Sequence, residues 1–387
     1  MRNWLLPEYI EDILPAEAAR IERLRRRVLD LFASWGYQLV MPPLLEYVES
    51  LLTGTGHDLN LRTFKLVDQL SGRMMGVRAD ITPQVARIDA HLLNRAGVTR
   101  LCYAGSVLHT RPTTPAATRE PLQIGAEVYG HQGAESDLEV QRLLCSALEI
   151  CGVRGARMDV GHVAVFRALV NRARIGEELE SELFETLQKK DIPALRELIR
   201  NARSLDHVSR EALLLLPELY GGAEVLAVAA RKLPKIAAIS QALTTLRRLA
   251  KACPLPMSFD LAELRGYHYH SGVVFDAYCA GVAGPVARGG RYDEVGRAFG
   301  RPRPATGFSI DLRELAGAAA PEKESESVLA PMLRGDAKLA KMIAGLRASG
   351  QAVIEDLPGH QKFRSELGCT RRLVKKNGVW TVQPFKR

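Results

Sequence analysis

Polar side chains that could contact a small ligand are concentrated in three short segments. They are Arg78-Ala-Asp80-Ile-Thr82, Gln123-Ile-Gly125-Ala-Glu127 and Arg265-Gly-Tyr-His268-Tyr269-His270. In an extended strand, residues two apart point to the same face, so each segment would display its polar side chains together. The carboxylates suit an ammonium or imidazolium group, the arginine suits a carboxylate, and the aromatic rings supply walls. This set predicts a pocket for an amino acid.

Two details of these segments concern what the pocket holds. Gly125 lies between Gln123 and Glu127, and its missing side chain predicts a slot that a ligand could fill. His268 and His270 stand two apart, as two metal ligands on one strand would. No third ligand of suitable type is evident, so the sequence predicts neither a metal site nor a cofactor.

The elements that must position these segments are short strands separated by helices. Strands are predicted at 38–41, 73–78, 100–109, 121–130, 156–162, 256–260 and 272–278. A helix is predicted at 16–35, where Ile21, Leu24, Val28 and Leu31 recur at helical spacing. Hairpin-like strand neighbours dominate over strand–helix alternation. The predicted fold class is therefore α+β, with a mixed or antiparallel sheet flanked by helices.

Changes in composition along the chain indicate its domains. Residues 165–252 are rich in Leu and Ala with a helical pattern, and predict a helical insertion within a core of residues 1–320. Residues 321–327 are polar and contain breakers, which is typical of a linker. Residues 328–387 would form a small C-terminal α/β domain of marginal independent stability, closed by a hairpin at Asn377-Gly378.

Composition limits the class of protein. The 387 residues are 47% hydrophobic and 25% charged, which is typical of a globular chain and excludes a disordered one. No apolar run is long enough to span a membrane, and the N-terminus does not resemble a signal peptide. The six cysteines are scattered, so a cytoplasmic protein with reduced thiols is expected. The net charge of +9 is spread along the chain and favours a solvated basic surface over a nucleic-acid site.

Five motifs, in order, resemble those of the class II histidyl-tRNA synthetase family. Residues 35–46 resemble its first motif, at the dimer interface, and 78–82 resemble its R-P-E-G-T segment. Residues 103–127 resemble the second motif, and 265–270 resemble R-G-L-D-Y-Y. Residues 289–293 together with 307–315 resemble the third motif. The resemblance implies a class II synthetase-like antiparallel sheet.

The resemblance also implies a histidine site. The positions that match the family's histidine-binding residues are Asp80, Thr82, Gln123, Glu127, Arg265, Tyr269 and His270. Asp80 and Thr82 match positions for the α-amino group, and Gln123 and Glu127 match positions for the amine and imidazole. Arg265 matches the position for the carboxylate. His270 stands where the family has a second tyrosine.

The positions that bind ATP in the family differ here. His109 replaces the arginine that clamps the α-phosphate, and a mostly neutral imidazole does not substitute for a guanidinium. Glu314 replaces the arginine for the γ-phosphate, and Asp311 adds a second acid. Arg313 precedes Glu314 on a helix, about 100° away, and would not take its place. Losing two groups that stabilise transition-state charge predicts the loss of adenylation.

The C-terminal domain is shorter than the synthetase's anticodon-binding domain and matches it poorly. A synthetase core with altered ATP motifs and a short tail resembles the histidyl-tRNA synthetase-like regulatory subunits of ATP phosphoribosyltransferase. That resemblance implies a non-catalytic subunit that dimerises, binds a separate short catalytic subunit and transmits feedback inhibition by histidine in the first step of histidine biosynthesis. Histidine would bind either in the synthetase-like pocket or at the contact with the catalytic subunit.

Other functions remain compatible with the sequence. One is a truncated but active histidyl-tRNA synthetase, against which Glu314 argues. Another is a module that binds tRNA or histidine without a metabolic partner, which the basic charge would suit. Within the regulatory interpretation, the pocket could also be filled by its own side chains, leaving a scaffold.

Overall fold

The computed structural model describes residues 4–53, 57–114, 117–320, 326–359 and 361–385. The chain divides into two compact units, Met1–Ala320 and Pro321–Arg387. Residues 321–325 of the predicted linker lie outside the described residues. No sheet is shared between the two units.

The strands of the first unit form two sheets. The strands are β1 (Gln38–Leu39), β2 (Leu45–Tyr47), β3 (Phe64–Val67), β4 (Met74–Val77), β5 (Thr99–Ser106), β6 (Leu122–Tyr129), β7 (Arg157–His162), β8 (Tyr220–Gly221), β9 (Met257–Asp260), β10 (Val273–Tyr278), β11 (Ala287–Arg291) and β12 (Ala305–Asp311). The large sheet has the order β1-β5-β6-β12-β11-β10-β7-β9-β8, and the small one β2-β4-β3. In the large sheet β1–β5 and β7–β9 are parallel and the other neighbours are antiparallel. The predicted α+β class with a mixed sheet is confirmed.

Twelve α-helices in the described part of the first unit accompany these sheets. They are α1 (Pro15–Ser34), α2 (Val48–Leu51), α3 (His57–Arg62), α4 (Thr82–Arg87), α5 (Ala134–Ile150), α6 (Ala164–Ala173), α7 (Glu177–Lys189), α8 (Ile192–Asn201), α9 (His207–Leu215), α10 (Glu224–Lys232), α11 (Ala237–Ala252) and α12 (Leu312–Ala318). The stretch predicted as a helical insertion contains α6 to α11 and the short strand β8. Within the described ranges, no helix has the length and apolar character needed to cross a membrane.

One face of the large sheet packs against helices. Helix α1 begins with Pro15 at its first position, where a missing N–H costs nothing, and its apolar stripe is buried. Phe32 from this stripe packs edge-on against Phe308 of β12, with ring centroids 5.8 Å apart. Because side chains alternate along a strand, Phe308 and Ile124 face the helices and their neighbours face the opposite side. That opposite side is where the polar residues of β6 and β12 lie.

Two of the three polar segments do not form the strands that alternation predicts. Strand β4 ends at Val77, and the chain turns before α4, with the Thr82 N–H donating to Asp80 Oδ1 at 3.0 Å. Arg78 donates instead to the carbonyl oxygens of Pro42 and Ser106, each at 2.9 Å. Residues 265–270 form successive turns. The extended interpretation was wrong for both segments because turn hydrogen bonds outcompete the two-residue pattern there.

The second unit has a four-stranded sheet of its own and one α-helix among its described residues. Its elements are β13 (Val328–Pro331), α13 (Ala337–Ala348), β14 (Val353–Asp356), β15 (Arg371–Lys376) and β16 (Val379–Pro384), with the strand order β14-β13-β15-β16. Asn377 and Gly378 have φ values of 48° and 78°, as a two-residue hairpin turn with both central residues left-handed requires. Val328, Leu339 and Trp380 are buried in its small core.

Candidate ligand site

A cavity of about 1450 Å³ opens over the polar face of the large sheet in the first unit. Its floor consists of residues that lie directly opposite one another on adjacent strands. Glu127 of β6 is opposite Gly307 of β12, which is opposite Gly290 of β11. Two residues along, Ser309 of β12 is opposite Arg288 of β11. Residues in register across a sheet share one face, so these side chains point into the same space.

The structure brings to this cavity every residue that matches a histidine-binding position of the family, together with His109 and Glu314, whereas Arg78 of the first polar segment does not line it. The residues are Asp80, Thr82, His109, Gln123, Glu127, Arg265, Tyr269, His270 and Glu314. They come from separate elements: the start of α4, the end of β5, strand β6, the loop between β9 and β10, and helix α12. Their convergence defines one site with two ends, one matching the histidine positions and the other the ATP positions.

Glu127 is the most deeply buried acid of the site, with 1% of its surface exposed. Thr82 Oγ1 and Tyr103 Oη each donate to Glu127 Oε1 at 3.2 Å, and Tyr292 Oη donates to Oε2. Burial raises the pKa of Glu127 to about 8, although these hydroxyl hydrogen bonds act in the opposite direction. Near neutral pH the Glu127 carboxyl therefore holds a proton, and it can donate to or exchange with an imidazole nitrogen.

Asp80 and Gln123 form a second polar group beside Glu127. Gln123 Nε2 donates to Asp80 Oδ1 at 2.8 Å, and Gln123 Oε1 accepts from the Ile81 N–H at 2.9 Å. These bonds fix the orientation of the Gln123 amide. In the described part of the chain Asp80 Oδ2 accepts no hydrogen bond, so it can receive an ammonium group from a ligand.

Tyr269 and His270 cover the site from the loop between β9 and β10. The Tyr269 ring stacks on Tyr292 with centroids 5.0 Å apart, and its buried hydroxyl has no hydrogen-bond partner among the described residues. His270 Nδ1 lies 3.3 Å from the Arg291 carbonyl oxygen. Burial lowers the pKa of His270 to about 4, so the ring is neutral and its Nδ1–H donates to that carbonyl. An unsatisfied buried hydroxyl costs about 1–3 kcal/mol, which a polar ligand atom would offset.

Arg265 reaches the cavity with most of its donors engaged. Its Nε and Nη2 atoms donate to Glu263 at 3.1 and 2.9 Å, and Nη1 lies 2.7 Å from Asp276 Oδ2. The Glu263 hydrogen bonds, together with the charge of Asp276, raise the pKa of Arg265 above its ordinary value. The arginine expected to meet a ligand carboxylate is thus already paired with two protein carboxylates.

His109, which matches the family's α-phosphate arginine, is a buried, neutral ring. Its Nε2 lies 3.0 Å from the Ala79 carbonyl oxygen, and Arg62 Nη2 lies 2.9 Å from Nε2 and 3.2 Å from Nδ1. Burial, together with the nearby charge of Arg62, lowers the pKa of His109 to about 4. An uncharged imidazole with its Nε2–H directed to a carbonyl offers no cation to a phosphate.

The position that matches the family's γ-phosphate arginine is acidic. Glu314 lines the cavity, and Asp311 Oδ1 caps α12 by accepting the Arg313 N–H at 2.9 Å. Arg313 turns away, and its guanidinium donates to Glu11 at 2.6 Å and lies 3.4 Å from the Glu120 carbonyl oxygen. Burial raises the pKa of Asp311 to about 6. The position that should attract a triphosphate thus presents two carboxyl groups and no arginine from this helix.

The slot predicted above Gly125 is not available to a ligand. A Cβ atom at Gly125 would collide with the ring and hydroxyl of Tyr103, which lies opposite it on β5. The prediction was wrong because the missing side chain makes room for the protein's own tyrosine. That ring then delivers its hydroxyl to Glu127.

Several residues of the site were missed by reasoning from the sequence. Tyr103 and Tyr292 lie inside quoted motifs, yet their hydroxyl bonds to Glu127 depend on strand pairing that spacing does not reveal. Asp276 and Arg288 face the cavity from β10 and β11, directly opposite each other. The alternation of Asp276 and Tyr278 within an apolar strand was the available signal for a polar face.

Metal coordination finds no support in the described residues. They contain no group of three or more His, Cys, Asp or Glu placed to hold a metal ion. His268 packs against the ring of Phe184, with centroids 5.2 Å apart, whereas His270 lies on Gly290. The two histidines therefore face different surroundings.

Comparison with known proteins agrees with this architecture. A family model described as histidyl-tRNA synthetase matches residues 9–315, and one described as the ATP phosphoribosyltransferase subunit HisZ C-terminal domain matches residues 325–383. A solved structure from Bacillus halodurans, titled as an ATP phosphoribosyltransferase regulatory subunit/histidyl-tRNA synthetase, is similar with a TM-score of 0.83 and 28% identity, covering 95% of this chain and 97% of that one. Histidyl-tRNA synthetase from Nostoc shares the fold, with a TM-score of 0.76 and 17% identity over 97% of this chain and 92% of that one.

The fold and the cavity thus define a class II, histidyl-tRNA synthetase-like protein, as predicted. A relative from Ralstonia nicotianae named ATP phosphoribosyltransferase regulatory subunit is 59% identical over all of this chain and 99% of its own length. One of the same name from Azoarcus is 59% identical over 99% of both chains. The chain belongs to the family of ATP phosphoribosyltransferase regulatory subunits.

The raised pKa of Glu127 predicts a pH-dependent stability. Between about pH 4.5 and about pH 8 the folded chain holds a proton that the unfolded chain releases, so this contribution to the free energy of unfolding falls as pH rises. Glu127→Gln removes the titration. We expect its stability relative to wild type to improve by up to about 1.4 kcal/mol per pH unit over this range, measured by urea unfolding at about pH 5.5 and about pH 7.5.

The exposed Glu149→Gln variant is the control and should shift stability equally at both pH values. An equal shift for Glu127→Gln at the two pH values would contradict the raised pKa.

Proposed function

We propose that this chain is the regulatory, non-catalytic subunit of ATP phosphoribosyltransferase. In this role it is required, with a separate short catalytic subunit, for the first step of L-histidine biosynthesis and for its feedback regulation by histidine. The observation that carries the proposal is full-length identity of about 59% to relatives of that name, together with the matching C-terminal unit. The proposal places the chain in the cytoplasm, and its six free cysteines suit a reducing compartment.

We further propose that histidine binds in the cavity rather than at the contact with the catalytic subunit. Asp80 Oδ2 is free to accept the α-ammonium group, and the Glu127 carboxyl, near pKa 8, can pair with the imidazole. The unpartnered Tyr269 hydroxyl would gain a hydrogen bond from a bound polar ligand. Thr82 and Gln123 hold Glu127 and Asp80 in place by donating to their carboxyl groups, and His270, bonded to the Arg291 carbonyl, covers the site. Arg265 lies at the carboxylate end.

Inhibition would follow from linkage. Histidine that binds one quaternary state of the complex more tightly shifts the population toward that state by the ratio of the two affinities. If that state holds the catalytic subunit inactive, activity falls as histidine rises. This mechanism requires histidine to bind but not to react. It is therefore compatible with a site in which α12 directs no arginine toward ATP.

We infer that the regulatory chain is a dimer through the region of residues 35–46. Strand β1 is the edge of the large sheet, and an unpaired strand edge favours pairing with another chain. Beside it Leu39, Met41 and Leu44 are exposed, Met41 by 81%. Apolar side chains clustered at a strand edge are typical of an interface between subunits.

Activity reconstitution tests the proposal. We expect the purified short catalytic subunit to gain ATP phosphoribosyltransferase activity as this chain is added, reaching a plateau at a fixed ratio. Saturating histidine should then lower the activity, on the order of 5- to 150-fold for an ordinary allosteric coupling. Light scattering on the same samples should give a dimer mass for this chain alone and a larger particle for the mixture. Catalytic activity independent of this chain would refute the regulatory role, and a monomer mass would refute the dimer.

Variants of the cavity acids test where histidine binds. Asp80→Ala and Glu127→Ala each remove a group proposed to contact the ligand, and each should shift the histidine inhibition curve to higher concentration by roughly 10- to 100-fold. Glu127→Gln keeps the shape of the side chain and should shift the curve in the same direction. Glu149→Ala, on the exposed face of α5, is the matched control and should leave the curve in place. Unmoved curves for all the cavity variants would place the histidine site elsewhere.

We also propose that the chain has lost adenylation activity, for which the neutral His109, the acidic Glu314 and the outward Arg313 are the support. Histidine-dependent exchange of pyrophosphate into ATP should stay at background for the purified chain. Exchange above background would establish the alternative function, a truncated but active synthetase.

A further inference from the structure

Arg288 is an arginine at the centre of the cavity to which no role has been assigned. It lies on β11, directly opposite Ser309 of β12 and Asp276 of β10, and its side chain is 51% exposed to the cavity. Its Nε atom is 3.9 Å from Asp276 Oδ1, which is beyond hydrogen-bond distance. Among the described residues the Arg288 guanidinium makes no hydrogen bond, so its five N–H donors are free for a ligand.

Arg265 contacts the other carboxylate oxygen of Asp276 and, unlike Arg288, has most of its donors engaged. Glu263 accepts from two of its nitrogen atoms, Asp276 lies 2.7 Å from the third, and Tyr278 Oη lies 3.4 Å from Nη2. A ligand carboxylate that bound Arg265 would have to displace one of these carboxylates or compete with both. A ligand carboxylate that bound Arg288 would displace no hydrogen-bonded carboxylate.

Strand register places Arg288 across the cavity floor from the residues of β6. Gly125 of β6 is opposite Ser309, which is opposite Arg288, so the Arg288 backbone is about 10 Å, two strand spacings, from β6. On β6, Gln123 lies two residues before Gly125 and donates to Asp80. Glu127 lies two residues after Gly125 and holds a proton. Over β12 a histidine molecule could thus direct its ammonium to Asp80, its imidazole to Glu127 and its carboxylate to Arg288.

We propose that Arg288 receives the carboxylate of the bound histidine and sets the preference of the site for an α-amino acid over the corresponding amine. Arg265 is then a positioning residue that holds Asp276 and Glu263 at the wall of the cavity. This inference rests on the proposed histidine site. It assigns to β11 a contact that the sequence motifs assign to the loop before β10.

The test compares histidine with histamine, which lacks only the carboxylate. Titration calorimetry on the full chain should show wild type binding histidine more tightly than histamine. Arg288→Ala should weaken histidine on the order of 10- to 100-fold and leave histamine unchanged, because the lost charge-assisted hydrogen bonds involve the carboxylate alone. Arg288→Lys keeps a charge without the guanidinium fork and should recover part of the histidine affinity.

Controls separate this inference from the proposal beneath it. Arg297→Ala removes an exposed arginine paired with Glu294 and should bind both ligands as wild type does. Retained histamine binding shows that an Arg288 variant is folded. Wild-type affinity for histidine in Arg288→Ala, or a carboxylate-dependent loss in Arg265→Ala instead, overturns the role of Arg288 while the histidine site stands. Wild-type chain that binds neither ligand overturns the histidine site, and the inference with it.

Discussion

The polar groups of the cavity floor lie directly on the sheet because the strands beneath them carry glycine. A Cβ at Gly307 would collide with the Glu127 carboxyl, and one at Gly290 would come within 2.9 Å of the His270 ring. These bare positions let polar groups from neighbouring elements lie directly on the strands, shielded from water. Desolvation then raises the pKa of Glu127 and lowers that of His270, so both are uncharged near neutral pH. The chemistry of the site thus depends on the close approach that glycine permits.

The two ends of the cavity differ in charge. At one end, where we propose that histidine binds, lie a protonated carboxyl, an accepting carboxylate and a tyrosine hydroxyl without a partner among the described residues. At the other end a neutral His109 and an acidic Glu314 replace the arginines that an ATP-binding relative of this fold would present. Binding and transition-state stabilisation depend on different groups, so the proposed regulatory role needs the first end of the cavity and not the second.

A buried ion pair and a hydrogen bond from the loop before β10 hold the walls of the cavity in place. Arg291, at the end of β11, contacts Asp137 of α5 at 3.0 Å, and its own carbonyl oxygen accepts from His270. In the loop before His270, Tyr267 donates to Glu180 of α7 at 2.7 Å. The loop over the cavity is therefore joined both to the sheet and to the helical insertion. Removing one partner of a buried ion pair such as Arg291–Asp137 typically costs about 3–5 kcal/mol, so this pair restricts where the wall can lie.

The sequence by itself determined the α+β class, because the hydrophobic patterns of strands and helices are local properties, and motif matching picked out the positions proposed to bind histidine. It did not predict β2, β3, β8, β11 or β12, although β11 and β12 form part of the cavity floor. It did not determine the directions of Arg78 and Arg265, which follow from carbonyl oxygens and carboxylates contributed in part by distant segments. The sequence also predicted a ligand slot above Gly125, but the Tyr103 side chain of the neighbouring strand fills that space. Burial, charge pairing and free donors such as those of Arg288 arise only when β6, β12, β11 and β10 come into register, so the tertiary structure alone decided them.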